Sequence, residues 1–133
     1  MRNGIFLDKL LTNNPLAAER YRGLDVQWID GPARDVLTAA RDYVHLGHAL
    51  LTHPLASSIP RKDSPFKSII ISGTAGQLNY DSLRIIENAI EAYKIGAINF
   101  NIHQTVAEDF MLIDCDVISA AAEKSSKMKE GML

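Results

Sequence analysis

A chain of 133 residues with 14 Lys and Arg against 16 Asp and Glu has the length of one ordinary domain and lacks the positive excess that attracts nucleic acid or anionic lipid. Its single cysteine excludes an intramolecular disulfide and argues against a cysteine-based zinc site. No apolar run reaches the roughly 20 residues of a membrane span, and the N-terminal stretch has no signal-peptide pattern. We therefore expect one cytoplasmic domain over residues 1–133, with no nucleic-acid partner and no membrane partner.

Hydrophobic periodicity predicts strands that alternate with helices along most of the chain. In chain order the predicted elements are strand GIFLDKLLT, helix NNPLAAERYRG, strand LDVQWID, helix GPARDVLTAARDYVHLG, strand HALLT, strand FKSIIIS, a helix over 79–94, strand AINFNIH, and a helix over 105–127 with a break near Asp114. FMLI within the last helix also fits a short strand. Cap residues support the boundaries, because Asn14 and Pro15 favour a helix start and Gly47 favours a helix end.

This alternation implies crossover connections between strands. The sequence thus predicts an α/β fold of three layers, in which a mostly parallel sheet of four to five strands carries helices on both faces. Ligands of such folds bind beyond the carboxyl ends of the strands. The candidate ligand-binding residues at these positions are Asn13, Asn14, His53, Ser57, Ser58, Ser72, Thr74 and Gln77.

One predicted strand, AINFNIH, alternates apolar and polar residues and is therefore expected at an edge of the sheet with one wet face. Such an edge can pair with a second copy of the chain, or its polar face can be buried inside the monomer. The pattern is therefore compatible both with a homo-oligomer and with a monomer.

Three of the four histidines lie within DYVHLGHALLTHPL, and their spacing argues against one shared metal site. His48 and His53 flank a predicted strand, which separates them by roughly 16 Å and turns their side chains to opposite faces. His45 at a helix end and His48 at a strand entrance are expected to be structural, and a metal bound by these two alone is the weak alternative. His53 follows the strand, and LLTHPLAS around it repeats LLTNNPLAA around Asn14.

Two further patterns are candidate sites. SGTAGQ could bind an anion before a helix, but it lacks the lysine of a P-loop and the GxGxxG spacing, so an ordinary turn is the simpler interpretation. Asp114 and Asp116 flank Cys115, yet residues two apart cannot share one helix face. Carboxylates beside this cysteine should raise its pKa, which disfavours a reactive thiolate.

The stretch DYVHLGHALLTHPLASSI, with SPFKSIIIS after it, resembles the centre of the GrdX family over roughly residues 42–72. The matching positions are His45, Gly47, His48, Thr52, His53, Pro54, Ser58 and Lys67. That family is named for its association with the glycine reductase system of anaerobic amino-acid-fermenting bacteria, which reductively splits glycine and forms acetyl phosphate. The resemblance implies a small accessory protein, and it assigns no catalytic residue and no cofactor.

The leading hypothesis is an auxiliary cytoplasmic protein of the glycine reductase system that acts through glycine reductase components or a small anionic ligand. The competing hypothesis is a small anionic ligand-binding protein or enzyme that uses a strand-end crevice around His53. A histidine metal site is the third. The sequence alone supplies neither the ligand nor the partner.

Overall fold

The computed structural model describes residues 7–55, 64–95 and 104–131. Within these ranges the chain forms three short strands and five helices. In chain order they are β1 (Lys9–Thr12), α1 (Pro15–Arg20), β2 (Asp25–Trp28), α2 (Ala33–His45), β3 (Ser68–Ile71), α3 (Tyr80–Ile95), α4 (Gln104–Val117) and α5 (Ser119–Gly131). None of the helices in the described part of the chain is long and apolar enough to cross a membrane.

The sheet has the strand order β2-β1-β3, with β1 parallel to β2 and antiparallel to β3. The predicted three-layer fold with a mostly parallel sheet of four to five strands is therefore wrong, because the described residues form a small mixed sheet of three strands. The direction of β3 explains the error. A strand that runs parallel to the one before it needs a crossover connection, which is usually a helix. The described residues between the HALLT segment and β3 contain no helix, and β3 runs antiparallel to β1.

The predicted strand HALLT forms only an isolated antiparallel bridge between Leu50 and Ile71. Two backbone bonds of a regular ladder are replaced by bonds to side-chain hydroxyls. The Ala49 N–H donates to Ser72 Oγ at 2.8 Å, and the Ile70 N–H donates to Thr52 Oγ1 at 3.0 Å. The segment thus runs beside β3 without becoming a strand, and the predicted strand AINFNIH lies outside the described residues.

The short strands alternate their side chains between two apolar clusters, as the period of two requires. Leu10 and Ile70 pack with α1, α4 and α5 on one face of the sheet. Leu11, Ile69 and Ile71 pack with α2 and α3 on the other face. All five are fully buried, and each contributes about 1.5–3 kcal/mol of hydrophobic free energy to folding.

The predicted helix boundaries at Asn14 and Gly47 are confirmed. Asn14 is the N-cap of α1, with Pro15 at the first helical position. At the end of α2, the Gly47 N–H donates to the Val44 carbonyl and the next N–H donates to the Tyr43 carbonyl, which is the Schellman arrangement. Gly47 has a φ of 107°, which favours glycine. The long C-terminal helix is also found, but its break lies at Ile118, between α4 and α5, and not near Asp114.

Candidate functional site

The Asn13 side chain, which follows the carboxyl end of β1, makes three hydrogen bonds to backbone groups of other segments. Its Nδ2 donates to the carbonyls of Gly31 at 3.0 Å and Pro65 at 2.9 Å, and its Oδ1 accepts from the Lys67 N–H at 2.9 Å. The side chain thus joins the loop after β2 to the segment that enters β3. A ligand at this candidate residue would have to displace these bonds.

Asn14 is fully buried and joins the start of α1 to the middle of α4. Its Oδ1 accepts from the Leu16 N–H at 3.0 Å, as expected of a helix N-cap. Its Nδ2 donates to the Met111 carbonyl and to Asp114 Oδ2, both at 2.9 Å. The second partner lies 100 residues further along the chain. Both the side-chain oxygen and the side-chain nitrogen of Asn14 are therefore hydrogen-bonded to other groups of the protein.

A chain of hydroxyl groups completes this arrangement. Asp114 Oδ2 accepts a second bond from Ser68 Oγ at 2.6 Å, and Ser68 Oγ lies 2.7 Å from Thr12 Oγ1. Thr12 Oγ1 in turn accepts from the Asn14 N–H at 2.9 Å. Since Ser68 donates to the carboxylate, Thr12 must donate to Ser68. We refer to Thr12, Asn14, Ser68 and Asp114 as the polar network, and each is at most 9% exposed.

The sheet register explains why these residues meet. Thr12 and Ser68 are register partners in the antiparallel pair of β1 and β3. They lie on the same face as Leu10 and Ile70, and this face packs against α4, which carries Asp114. The hydrogen bonds of the network run between its own members and the backbone around them, so the network holds β1, β3, α1 and α4 together.

Burial raises the pKa of the Asp114 carboxyl above its ordinary value, while hydrogen bonds from Ser68 and Asn14 and the positive charge of Lys67 oppose the increase. A raised pKa means that the folded state binds the proton more tightly than the unfolded chain does. The resulting stabilisation is complete below the unfolded pKa and is lost as the pH rises through the folded pKa.

We therefore expect Asp114→Asn to change the pH dependence of stability. The free energy of unfolding of the unmodified protein, relative to this variant, should fall as the pH is raised from below about 4 to neutral. Asp25→Asn is the control of opposite sign, because the hydrogen bond from Lys9 lowers the pKa of Asp25. Urea titrations at several pH values measure both differences, and two differences of the same sign would contradict the assignment.

Cys115 is fully buried beside this network. Burial raises the pKa of its thiol to about 11, Arg20 acts in the opposite direction, and Asp114 and Asp116 add to the increase. The thiol is thus protonated at neutral pH and is a poor nucleophile. The expected direction is confirmed, although burial and not the neighbouring carboxylates is the largest cause.

His53 lies in an open cleft of about 310 Å³. The imidazole is exposed, and its Nδ1 accepts from the Leu55 N–H at 3.1 Å, so the neutral ring carries its proton on Nε2. The lining residues come from the segment after α2 and from the start of α3: Leu50, Leu51, Thr52, His53, Asn79, Asp81, Ser82 and Ile85. Lys67 connects this cleft to the end of β1, since its Nζ donates to the Pro54 carbonyl at 2.6 Å.

The remaining candidate residues do not join His53. Because β3 is antiparallel to β1, its carboxyl end lies at the opposite edge of the sheet, where the Gly73 N–H donates to Asp8 Oδ1 at 3.1 Å. Ser72 Oγ there donates to the Thr74 carbonyl, and the side chains of Thr74 and Gln77 are exposed. Asn13, Asn14 and His53 thus lie at one edge and Ser72, Thr74 and Gln77 at the other, while Ser57 and Ser58 lie outside the described residues.

His45 and His48 have separate surroundings. His45 Nε2 lies 3.7 Å from Glu87 Oε2 at the end of α2. His48 is buried, and its Nδ1 lies 2.7 Å from the Ser72 carbonyl, with its ring edge-on to Tyr43. No group of three His, Cys, Asp or Glu side chains that could hold a metal ion occurs in the described part of the chain.

Sequence reasoning missed the role of Ser68 and assigned no site to Lys67 or Thr12. Lys67 is 6% exposed, and its ammonium lies 5.7 Å from the centre of the Tyr93 ring. The only local signal was a pair of polar residues, Lys67 and Ser68, at the entrance of the most apolar strand. Buried polar groups need partners, but that rule does not identify a partner as distant as Asp114.

The fold and the site define a small α/β protein that has a buried polar network between β1, β3, α1 and α4 and an open cleft between the segment after α2 and the start of α3. A family model described as GrdX-like protein matches residues 9–123. The chain therefore belongs to the GrdX-like family, and the match extends well beyond the central stretch that carries the resemblance. No curated protein and no solved structure matches the chain.

Proposed function

We propose that this protein is an auxiliary cytoplasmic component of the glycine reductase system and that it acts by binding another component of that system. The family match over residues 9–123 carries the proposal, because the family is named for its association with glycine reductase. The proposal assigns the protein no step of the reductase chemistry.

The distribution of polar and apolar side chains supports a binding role. The polar groups at the sheet edge bond to one another, whereas large apolar side chains near the cleft are exposed to solvent. Leu51 lines the cleft and is 45% exposed, and Tyr80, between two lining residues, is 75% exposed. Exposed leucine and tyrosine at the rim of a concave surface are typical of protein contacts.

Co-purification tests this proposal. The tagged protein, mixed with purified glycine reductase components at near-physiological salt, should retain at least one of them. Leu51→Asp should reduce retention at least tenfold, because it places a charge in the proposed contact. Leu112→Asp is the matched control, since Leu112 is equally exposed, at 45%, but lies on α4. Retention of no component by the unmodified protein would contradict the proposal.

A small anionic ligand bound near His53 is the second candidate. The cleft and the Nε2 proton of His53 favour it, since an exposed imidazole N–H can donate to an anion. The carboxylate of Asp81 lines the same cleft and opposes an anion, which places this candidate behind protein binding.

Thermal denaturation tests the second candidate. Phosphate, acetyl phosphate or a nucleotide should raise the Tm of the unmodified protein by an amount that grows with the logarithm of the ligand concentration relative to Kd, and His53→Ala should abolish the increase. His45→Ala is the control, because His45 is also exposed but lies at the end of α2. An unchanged Tm of the unmodified protein with all of these anions would eliminate this candidate.

A further inference from the structure

Strand β2 forms one edge of the sheet, because β1 lies on one side of it and no strand of the described residues lies on the other. The backbone direction is fixed at both ends of β2. The Asp25 N–H donates to the carbonyl just before β1 at 3.0 Å, and the Ile29 N–H donates to the last carbonyl of β1 at 2.8 Å. Backbone groups alternate in direction along a strand, so the N–H and C=O groups of Val26 and Trp28 point away from β1.

These outward groups are available for pairing. Among the described residues, no hydrogen bond reaches the backbone of Val26 or Trp28 on that side. Sheet edges are usually protected by lysine, proline or a bulge. The strand has the sequence DVQW and a continuous register with β1, and its one charged residue, Asp25, is paired with Lys9. The outer edge of β2 therefore lacks the usual protection against pairing with another strand.

A second copy of the same edge would satisfy the outward groups of both strands. In an antiparallel pair, opposite residues exchange both of their backbone bonds at every second position. If a two-fold axis passes beside Gln27, Val26 of each copy lies opposite Trp28 of the other, and every outward group is bonded. An axis at Val26 would instead place Trp28 opposite Leu24. The Leu24 N–H already donates to the Tyr21 carbonyl at 3.0 Å, so this register is less favourable.

The side chains of β2 fit the axis at Gln27. Trp28 is 49% exposed although it belongs to a strand, and Val26 is only partly buried against the cluster that contains Leu10. Both side chains lie on the same face, because they are two residues apart. In the pair, the indole of each copy would cover Val26 of the other, and aromatic and β-branched residues are favourable cross-strand neighbours.

The charges at the two ends of β2 favour the antiparallel direction. Arg22 precedes the strand, Asp30 follows it, and both are exposed. An antiparallel pair brings Arg22 of each copy toward Asp30 of the other, whereas a parallel pair would bring like charges together. The occupant that matches this edge in both backbone and charge is therefore a second copy of the chain.

We propose that two copies of the chain pair their β2 strands antiparallel, about a two-fold axis at Gln27, so that the two sheets become one continuous sheet. The opposite edge is occupied within the chain, since Leu50 bridges to Ile71 and the Leu51 N–H donates to the Ile70 carbonyl. Association through β2 therefore stops at a dimer, which is the commonest closed assembly. This dimer is independent of the proposed function.

Analytical ultracentrifugation of the full chain tests the dimer. One pair of short strands is a small contact, so we expect a dissociation constant on the order of 10–100 µM. Val26→Pro should raise this constant about tenfold or more, because proline removes an outward N–H and leaves the bonds to β1 intact. A protein that sediments as a monomer up to about 1 mM would overturn the proposal.

Charged substitutions at Gln27 test the position of the axis. Gln27→Lys and Gln27→Glu should each prevent the dimer, because each places like charges directly opposite each other. A mixture of the two variants should restore it, since opposite charges then face each other across the axis. Gln77→Lys and Gln77→Glu are the matched controls, because Gln77 is exposed in the loop before α3, and both should dimerise like the unmodified protein. If the two Gln27 variants are folded by circular dichroism and their mixture associates no more than either alone, the proposal is wrong.

Hydrogen exchange identifies what covers the edge. The amides of Val26 and Trp28 should exchange quickly in dilute protein and slowly at concentrations that favour the dimer. The Gln27 amide, which points toward β1, is the internal control and should be protected in both. Slow exchange of Val26 and Trp28 in the monomer would show that the same chain covers this edge, which would overturn the proposal. A dimer that the substitutions at Val26 and Gln27 leave unchanged would use another surface and would overturn it as well.

Discussion

Replacing Gly47 with alanine is expected to lower the free energy of unfolding by roughly 2–4 kcal/mol. The residue has a φ of 107°, which an L side chain rarely adopts. A Cβ at this position would also lie 2.1 Å from the carbonyl oxygen of Gly76, which is backbone and cannot rotate away. The Gly76 N–H donates to the Gly47 carbonyl at 3.0 Å, so relieving the clash would break this bond. Urea denaturation followed by circular dichroism measures the change.

Gly23→Ala is the matched control for this prediction. A Cβ at Gly23 would meet no atom within 4 Å, and the residue carries no positive φ. We expect its free energy of unfolding to change by less than about 0.5 kcal/mol. Equal losses for the two variants would show that the turn after α2 does not depend on the conformation of Gly47.

Replacing Asn14 with alanine is expected to cost about 3 kcal/mol or more of stability. About 1 kcal/mol comes from the lost N-cap of α1. The remainder comes from the Met111 carbonyl and Asp114 Oδ2, which lose a donor in a region where water cannot replace it. Chemical denaturation of both proteins at neutral pH measures the loss.

Asn14→Ser separates the loss of the N-cap of α1 from the loss of the hydrogen bonds to α4, because serine keeps a capping oxygen but cannot reach α4. It should be about 1 kcal/mol more stable than Asn14→Ala. Asn88→Ala is the control for the loss of an asparagine, since Asn88 is exposed on α3 and alanine favours a helix. A loss at Asn14 no greater than at Asn88 would refute the proposed role of the polar network.

Local signals in the sequence identified the features that depend on near neighbours. Asn14 followed by Pro15 indicated a helix start, and Gly47 indicated a helix end, because each acts within one turn of its own position. The buried strand at FKSIIIS was also found from its apolar run. A binding role for His53 stays a prediction. Its neighbour Pro54 is linked to Asn13 through Lys67, whose Nζ donates to the Pro54 carbonyl and whose N–H donates to Asn13 Oδ1.

The direction of β3 could not be found in this way. A buried four-residue strand has the same pattern whether it runs parallel or antiparallel to its neighbour, because both of its faces are covered either way. Because β3 runs antiparallel to β1, the residues of the candidate crevice lie at two opposite edges of the sheet, and Ser72 lies at the edge far from Asn13. HALLT failed as a strand because hydroxyl groups, at Thr52 and Ser72, took the backbone N–H groups that a ladder would use.

The polar network could not be predicted from the sequence. The sequence around Asp114 shows only its neighbours Cys115 and Asp116, whereas its hydrogen-bond partners Asn14 and Ser68 lie 100 and 46 residues away. Such pairs are decided by the register of β1 with β3 and by the packing of α4 on that face. No pattern within a single segment contains this information.

The position of β1 in the middle of the sheet also bears on how fast the protein folds. Lys9 meets Asp25 across 16 residues, but Thr12 meets Ser68 across 56. The β1-α1-β2 unit can thus form from nearby chain, whereas β3 must close a much larger loop before it adds its contacts. Non-local pairing of this kind slows folding, so we expect the complete sheet to form in milliseconds to seconds, not microseconds.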